Sequence, residues 1–285
     1  AACCLLPTLQ EVRMQFVDST WLAAHLADGS AIAVDTRTPQ EYMQGHIAGA
    51  VSAYPYGAQA VSTPAGDAQF RAYVVEYMTT LGITGDETVV FYAMKNETTD
   101  ARGLWTAEFA GYAKVALLGG GLQQWLAAGH PVSQKQDNAR QRVAFTPHWN
   151  EATFATADDA AAARNNPNVV LLDVRSEGEH TGSAQGRYAG VNPRLGRIPG
   201  SVWVEWTELA NADGTYKSPD EIRHLLAAKG VTPDKEVITY CQGGGRAAHS
   251  YAALKSAGFG DVRHYVGSFS DYAHRTDLPI ESDEQ

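Results

Sequence analysis

Residues 237–248, VITYCQGGGRAA, combine a strand pattern, a tight turn and the start of a helix. The run from Val237 to Tyr240 is short, apolar and β-branched, which is typical of a strand buried in a sheet. Three glycines follow soon after Cys241, and glycine permits the positive φ angles that a tight turn needs. Residues after Gly245 favour a helix. The pattern therefore predicts a strand that passes through a glycine turn into a helix.

Cys241 lies where this turn begins, in a position suited to an anion. A curled glycine turn points its N–H groups inward, and a helix N-terminus adds unpaired N–H groups and a positive dipole end. Such surroundings favour the thiolate, which is the nucleophilic form of cysteine. The stretch by itself fits two interpretations. One is a nucleophilic cysteine in an anion-binding cradle, and the other is a buried cysteine beside a glycine turn.

The composition is that of an acidic globular protein. The 285 residues are 44% hydrophobic and 19% charged, and the net charge is −10. This length suits two domains of ordinary size. No basic patch is evident, so we expect neither nucleic acid nor an anionic membrane as a partner. No apolar run approaches the roughly 20 residues of a membrane-spanning helix.

The three cysteines do not form a disulfide framework, since Cys3 and Cys4 are adjacent and Cys241 stands alone. We expect Cys241 to be a free thiol. The stretch Ala1–Pro7 lacks an initiating Met. It fits either the tail of an export signal or extra sequence before a start at Met14. A cytoplasmic location is slightly favoured, and this stretch keeps the periplasm as the alternative.

The chain contains two copies of one pattern of strands and helices. A buried strand ending in Asp35 and followed by Arg37 recurs as a strand ending in Asp173 and followed by Arg175. Three more segments match in the same order: His46–Val51 with Arg197–Val202, Gly82–Asp86 with Gly230–Asp234, and Val89–Tyr92 with Val237–Tyr240. Alternating strands and helices predict an α/β fold, in which each copy is a mostly parallel sheet with helices on both faces.

A polar, strand-poor stretch separates the two copies. We place the N-terminal domain at 14–135, the linker at 136–149 and the C-terminal domain at 150–285. The N-terminal domain is expected to open with a helix from Phe16 to His25, with Asp18 or Ser19 able to cap it. Asp173 and Arg175 are expected to be a structural pair at a strand end.

The two copies differ where chemistry is expected. Ala93 occupies the position of Cys241 in the first copy, and no glycine turn follows it. The segment between the strand aspartate and the next motif is longer in the second copy, and it carries Arg187 and Arg194, with Arg197 just beyond. Because reactive thiolates lie in electropositive surroundings, this asymmetry favours a nucleophilic Cys241. The three arginines are candidates to bind an anionic substrate.

These features resemble the rhodanese family of sulfurtransferases over about residues 16–280. The resemblance rests on the Asp-x-Arg after the first strand, the Ile-x-Gly segment and the six-residue loop Cys241–Arg246. A degenerate first copy with the cysteine in the second is similar to thiosulfate and 3-mercaptopyruvate sulfurtransferases. The resemblance implies two tandem rhodanese-like domains, the first catalytically degenerate, and neither a metal nor an organic cofactor.

By the same resemblance, Cys241 takes a sulfane sulfur and becomes a persulfide. The loop residues whose amides would stabilise it are Gln242, Gly243, Gly244, Gly245 and Arg246. The implied donor is a small anion, thiosulfate or 3-mercaptopyruvate, and the implied acceptor is a thiol, cyanide or a protein. Arg187 is similar to the family's substrate-binding arginine. Arg246 either helps to hold the donor or braces the loop from within.

Departures from the family pattern bear on the substrate. The Gln242–Gly243 pair matches neither the lysine-containing loop of animal thiosulfate enzymes nor the Gly-Ser loop of mercaptopyruvate enzymes, and it looks more like some bacterial thiosulfate-type loops. Arg197 stands where the family usually has histidine. We predict a thiosulfate sulfurtransferase, with a 3-mercaptopyruvate enzyme or a persulfide carrier for a protein partner as alternatives. A cysteine phosphatase is disfavoured, because four residues separate Cys241 from Arg246 and related phosphatases have five.

Overall fold

The computed structural model describes residues 15–57, 61–135, 140–184 and 192–283. Within these ranges no helix has both the length and the apolar character to cross a membrane. Cys3, Cys4 and Arg187 lie outside the described residues.

The N-terminal domain contains one five-stranded parallel sheet and a two-stranded antiparallel ribbon. Its elements, in chain order, are β1 (Gln15–Val17), α1 (Ser19–Ala27), β2 (Ala31–Asp35), α2 (Pro39–Gln44), β3 (His46–Ile47), β4 (Val51–Ser52), α3 (Pro64–Leu81), β5 (Thr88–Tyr92), α4 (Thr98–Phe109), β6 (Val115–Leu118), α5 (Gly121–Ala127) and β7 (Val132–Ser133). The sheet order is β1-β6-β5-β2-β4, and β3 pairs with β7.

The C-terminal domain contains a second five-stranded parallel sheet. Its elements are β8 (Phe154–Ala155), α6 (Ala157–Ala163), β9 (Val169–Asp173), α7 (Glu177–Thr181), β10 (Val202–Trp203), α8 (Pro219–Ala227), β11 (Glu236–Tyr240), α9 (Gly245–Ser256), β12 (Val262–Tyr265) and α10 (Ser268–Tyr272), with 3-10 helices at Glu151–Thr153 and Trp206–Leu209. The order is β8-β12-β11-β9-β10, which repeats the order of the first sheet. The predicted α/β class and tandem repeat are confirmed.

Both sheets repeat the same register at the end of their central strands. Asp35 pairs with Tyr92 in the first sheet, and Asp173 pairs with Tyr240 in the second. All four residues are fully buried. The chain therefore leaves the two central strands β5 and β11 at equivalent points, where Ala93 and Cys241 follow.

The Asp-x-Arg motif is a buried ion pair at the end of the second sheet's strand β9. Arg175 Nη2 lies 2.6 Å from Asp173 Oδ2 and also donates to the Gly196 carbonyl over 2.9 Å. The N-terminal copy forms the same pair, with Arg37 donating to the Gly45 carbonyl over 2.7 Å. In each copy the arginine thus connects the strand end to the segment that precedes the Ile-x-Gly motif.

The predicted extension of the first helix back to Phe16 was wrong, whereas Asp18, one of the two residues expected to cap it, is its N-cap. Residues Gln15–Val17 form strand β1, which pairs in parallel with β6. Helix α1 begins at Ser19, after Asp18 accepts a hydrogen bond from the Trp21 N–H over 2.7 Å. Pairing at the sheet edge satisfies backbone groups of this short segment. A strand of three residues is too short for its periodicity to show in the sequence.

The hydrophobic core is continuous between the two sheets. Helix α4 packs against helix α9, and buried side chains from both helices belong to one cluster that includes Leu104, Trp105, Tyr251 and Leu254. A Cβ placed on Gly245, the first residue of α9, would lie 3.3 Å from Cβ of Thr98, the first residue of α4. The N-termini of these two helices therefore meet beside the loop Cys241–Arg246.

Residues 140–150 contain no helix or strand and follow the N-terminal domain. Arg140 donates to the Gly82 carbonyl over 3.1 Å and pairs with Glu87 over 3.0 Å. We propose 14–135, 136–149 and 150–285 as the two domains and their linker.

Candidate active site

Cys241 directly follows β11 and is 1% exposed. The Gly244 N–H donates to Cys241 Sγ over 3.1 Å. Gly244 has a φ of 89°, a left-handed conformation that glycine adopts without a Cβ clash. The same residue is the N-cap of α9, so the sulfur lies beside the positive end of a helix. The glycine turn thus supplies an amide donor to a buried sulfur.

Helix α10 holds the start of the loop Cys241–Arg246. The Phe269 N–H donates to the Cys241 carbonyl over 2.9 Å, and the Cys241 N–H donates to Ser268 Oγ over 3.1 Å. Ser268 has a φ of 54° and is alone among the described non-glycine residues in having a positive φ. Such strain persists only where surrounding contacts impose it. Here it places a hydroxyl 3.9 Å from Cys241 Sγ.

Gln242 anchors the second position of the loop. Its side-chain amide donates to Asn192 Oδ1 over 2.8 Å and to Ser270 Oγ over 2.9 Å. Its carbonyl accepts the Ser270 N–H over 2.9 Å. The side chain is buried, so these bonds fix the loop to both neighbouring segments.

Arg246 forms a two-point ion pair with Glu179 of α7. Nη1 lies 2.7 Å from Oε2, and Nη2 lies 2.8 Å from Oε1. Both side chains are nearly buried, at 11% and 5% exposure. Burial raises the pKa of Glu179, but the hydrogen bonds and charge of Arg246 outweigh burial and hold the pKa below its ordinary value. The geometry favours the loop-bracing interpretation of Arg246 over a donor-binding one.

Replacing Glu179 by glutamine is expected to lower the free energy of unfolding by about 3 kcal/mol, because Arg246 loses a buried carboxylate partner. The pKa of Glu179 is lowered in the folded state. Its stabilisation is therefore present at neutral pH and is lost as the pH falls below about 4. Urea unfolding at pH 7 and at lower pH measures both effects. Glu177→Gln, at an exposed position of the same helix, is the control. An equal loss in both variants would contradict the prediction.

The structure gives Arg194 and Arg197 partners other than a substrate. Arg194 donates to the carbonyls of Ala273, Leu278, Tyr272 and Arg275 over 2.6–3.1 Å. Arg197 lies 2.8 Å from an Asp283 carboxylate oxygen. Both arginines thus hold the C-terminal segment, and their predicted substrate contacts remain untested. Arg187 lies outside the described residues.

The N-terminal domain keeps the same loop support without the thiol. The Leu122 N–H donates to the Ala93 carbonyl and the Gln123 N–H to the Met94 carbonyl, each over 2.9 Å. These two bonds are the counterparts of those that Phe269 and Ser270 make to the Cys241 loop. The scaffold is shared, but the first copy has no thiol, and Glu97 precedes its helix α4 where the left-handed Gly244 precedes α9.

Several residues contact the loop Cys241–Arg246 although no sequence motif predicts that contact. Glu179 and Ser268 are ordinary polar residues in helices, and their roles depend on long-range packing. Tyr56 and Arg102 come from the N-terminal domain. A Cβ on Gly245 would overlap the Tyr56 hydroxyl, and a Cβ on Gly244 would overlap Arg102 Nη1. The site is therefore assembled from both domains.

The same scaffold occurs twice, and among the described residues the free thiol lies in the loop of the second copy. A family model described as the rhodanese-like domain matches this chain twice, over residues 18–128 and 156–275. The chain belongs to the rhodanese family.

Relatives match most of this chain. The sulfur carrier protein TtuD of Thermus thermophilus is 29% identical, over 94% of this chain and 97% of its own length. A protein of Saccharopolyspora erythraea named "Putative thiosulfate sulfurtransferase" is 29% identical, over 94% of this chain and 96% of its own length. One of Mycobacterium bovis, named "Putative thiosulfate sulfurtransferase 1", is 35% identical, over 70% and 73%. The names of these relatives support the assignment of this chain as a rhodanese-family sulfurtransferase.

Solved structures share the fold at lower identity. The anaerobic ergothioneine biosynthesis enzyme from Chlorobium limicola, in complex with trimethyl histidine, aligns with a TM-score of 0.81 and 22% identity. The alignment covers 96% of this chain and 71% of that chain. At this identity the similarity concerns the arrangement of strands and helices.

Proposed function

We propose that this protein transfers a sulfane sulfur from thiosulfate to a thiophilic acceptor through a persulfide on Cys241. The observation that carries the proposal is the Gly244 amide, 3.1 Å from a buried thiol at the start of α9. The relatives named for thiosulfate sulfur transfer support the choice of donor. The loop residues Gln242, Gly243, Gly244, Gly245 and Arg246 form the cradle.

In the first half-reaction the Cys241 thiolate attacks the outer sulfur of thiosulfate. A sulfur–sulfur bond forms at Cys241, the sulfur–sulfur bond of the donor breaks, and sulfite leaves with the electron pair. The Gly244 N–H stabilises the thiolate before attack and the persulfide after it, as a fixed donor does in an oxyanion hole. The dipole of α9 acts in the same direction.

In the second half-reaction the acceptor attacks the outer sulfur of the persulfide. The new bond joins the acceptor to sulfur, the bond to Cys241 breaks, and the thiolate returns with its electron pair. The outer sulfur lies about 2 Å beyond Sγ, the length of a sulfur–sulfur bond. Cyanide, a small thiol or a protein thiol would serve as acceptor. Two displacements that share one covalent intermediate give ping-pong kinetics.

Mass spectrometry tests the intermediate directly. After incubation with thiosulfate, the peptide that contains Cys241 is expected to gain the mass of one sulfur atom. Addition of cyanide should remove this sulfur and release an equal amount of thiocyanate. Because Cys3 and Cys4 are also thiols, the adduct is located by peptide mapping. A wild-type protein that gains no sulfur on the Cys241 peptide would contradict the proposal.

A comparison of kcat/KM for thiosulfate and for 3-mercaptopyruvate identifies the donor class. A higher value for 3-mercaptopyruvate would favour the alternative donor at the same cysteine. The carrier alternative has its own support in the similarity to the sulfur carrier TtuD. A persulfide that forms rapidly but turns over slowly with small acceptors would favour a carrier that delivers sulfur to a protein.

A further inference from the structure

The N-terminal domain contributes a buried guanidinium to the catalytic loop. Arg102 lies in α4 and is 2% exposed. Among the described residues, its Nε and Nη1 atoms have no hydrogen-bond partner, and no carboxylate lies within ion-pair distance. A buried charge without a partner is costly, so this side chain calls for a physical explanation.

Aromatic rings offset part of the free-energy cost of burying the Arg102 charge. The Arg102 guanidinium carbon lies 5.5 Å from the ring centre of Tyr56, 5.9 Å from Phe70 and 5.7 Å from Trp105. Cation–π contacts of this length stabilise a desolvated cation but do not neutralise it. Burial lowers the pKa of Arg102, although arginine remains protonated in proteins. The positive charge therefore persists inside the protein.

This charge lies against the loop that holds the thiol. A Cβ on Gly244 would overlap Arg102 Nη1, and the Gly244 N–H donates to Cys241 Sγ over 3.1 Å. With standard bond lengths, the guanidinium lies within about 9 Å of the sulfur. Arg102, Gly244 and Cys241 are all buried, so solvent screens the interaction weakly.

The other titratable groups that face Arg102 cannot balance its charge near neutral pH. Burial raises the pKa of Tyr56 to about 12, and it also raises the pKa values of Tyr73 and Tyr77 on α3. Burial, and then the charge of Arg102, lower the pKa of His264 on β12 well below its ordinary value. Three neutral phenols and a neutral imidazole remain. Among the described groups that interact with Arg102, the remaining acidic one is the thiol of Cys241.

The equivalent position in the other domain carries no charge. Arg102 is the fifth residue of the twelve-residue helix α4, and His249 is the fifth residue of the twelve-residue helix α9. His249 is fully buried, stacks on Tyr216 and contacts Trp206 edge-on. Burial lowers the pKa of His249 to about 3, so its ring is neutral. Of these two equivalent helix positions, the one beside the cysteine loop carries the cation.

We propose that Arg102 of the N-terminal domain is the counter-charge for the thiolate and persulfide of Cys241. The proposal rests on the proposed persulfide chemistry and assigns a role in it to the copy that has no cysteine. Arg102 acts through Cys241 and does not contact the donor, so it is a positioning residue. Its charge favours the ionised sulfur in the free enzyme and again when the acceptor releases the thiolate.

Alkylation of Cys241 by iodoacetamide, followed on the Cys241 peptide by mass spectrometry, tests this role without turnover. In Arg102→Met the rate at pH 7 is expected to fall about twentyfold relative to wild type. This is the size of a charge interaction at about 9 Å in an effective dielectric near 20. The difference between the two rates should be smaller at pH 10 than at pH 7, which a purely structural role would not produce. Arg102→Lys, which keeps the charge, should retain most of the rate. A Tm equal to or above that of wild type is expected for Arg102→Met, because an unpaired buried charge is replaced by an apolar side chain.

Arg71→Met is the matched control. Arg71 also belongs to the N-terminal domain, pairs with Asp67 and Glu151, and lies over the rings of Phe109 and Trp149. Its loss should affect stability and leave the alkylation rate of Cys241 unchanged. Arg102→Gln replaces Arg102→Met if the latter does not fold.

A folded, uncharged Arg102 variant that is alkylated at the wild-type rate at pH 7 would overturn the proposal. An equal slowing in Arg71→Met would overturn it as well. The proposed function fails in a different way, by the absence of a sulfur adduct on wild-type protein. The alkylation comparison still decides the role of Arg102 in that case.

Discussion

Cys241→Ser is expected to lower kcat for sulfur transfer from thiosulfate to cyanide by about 10⁴-fold or more, since a neutral hydroxyl replaces the nucleophile. In the described chain the hydrogen-bond partners of Cys241 Sγ are the Gly244 N–H and the Ser268 hydroxyl. Neither is a base that could activate a serine. The cradle stabilises an anion that is already formed, and serine does not form one at neutral pH.

The variant should fold as wild type does. Serine has nearly the shape of cysteine, and the buried hydroxyl can use the Gly244 N–H and Ser268 as partners, so the change in unfolding free energy should stay within about 2 kcal/mol. Circular dichroism and Tm check the fold, and steady-state thiocyanate formation checks activity. Cys241→Ala serves as a second variant without a hydroxyl. Retained turnover in either folded variant would show that another residue carries the sulfur.

The sequence predicts the fold well because the same pattern of strands and helices occurs in both halves of the chain. Short apolar strands ending at Asp35 and at Asp173, with equivalent motifs in the same order, predict two parallel sheets. The register of Asp35 beside Tyr92 and Asp173 beside Tyr240 confirms this repeat. The edge strand β1 was missed, since three residues show no periodicity and its partner β6 lies about a hundred residues away in sequence.

The site could be predicted only in part. A cysteine followed by three glycines marks the loop locally, because φ at Gly244 and the helix start depend on adjacent residues. Glu179 and Ser268 could not be identified, because their contacts with the loop come from segments 67 and 27 residues away. Arg102 was missed for a stronger reason, since it belongs to the domain that lacks the thiol. Nothing in the sequence of the cysteine-bearing copy points to a residue of the other domain.

Gly244→Ala tests whether the loop geometry is as tightly constrained as these contacts indicate. We expect kcat/KM for thiosulfate to fall about 100-fold, because the backbone must move and the Gly244 N–H then shifts away from Cys241 Sγ. Two obstacles force the movement. The φ of 89° disfavours an L side chain, and the new Cβ would overlap Arg102 Nη1 and lie 2.6 Å from the Val266 carbonyl oxygen. The free energy of unfolding should fall by about 3 kcal/mol from strain and overpacking together.

Gly230→Ala separates the effect of the positive φ from the effect of the steric overlap. Gly230 has a φ of 75°, and a Cβ built there meets no atom within 4 Å. This control carries the cost of a left-handed alanine, about 1 kcal/mol, without a clash and away from the loop, so its kcat/KM should match wild type. Combining Gly244→Ala with Arg102→Ala should recover part of the lost stability but not the activity, since space opens at the guanidinium while the Val266 carbonyl and the strained φ remain. Wild-type kcat/KM in Gly244→Ala would mean that the amide at Gly244 does not stabilise the sulfur. Stabilisation of the sulfur would then have to come from the other amides of the loop.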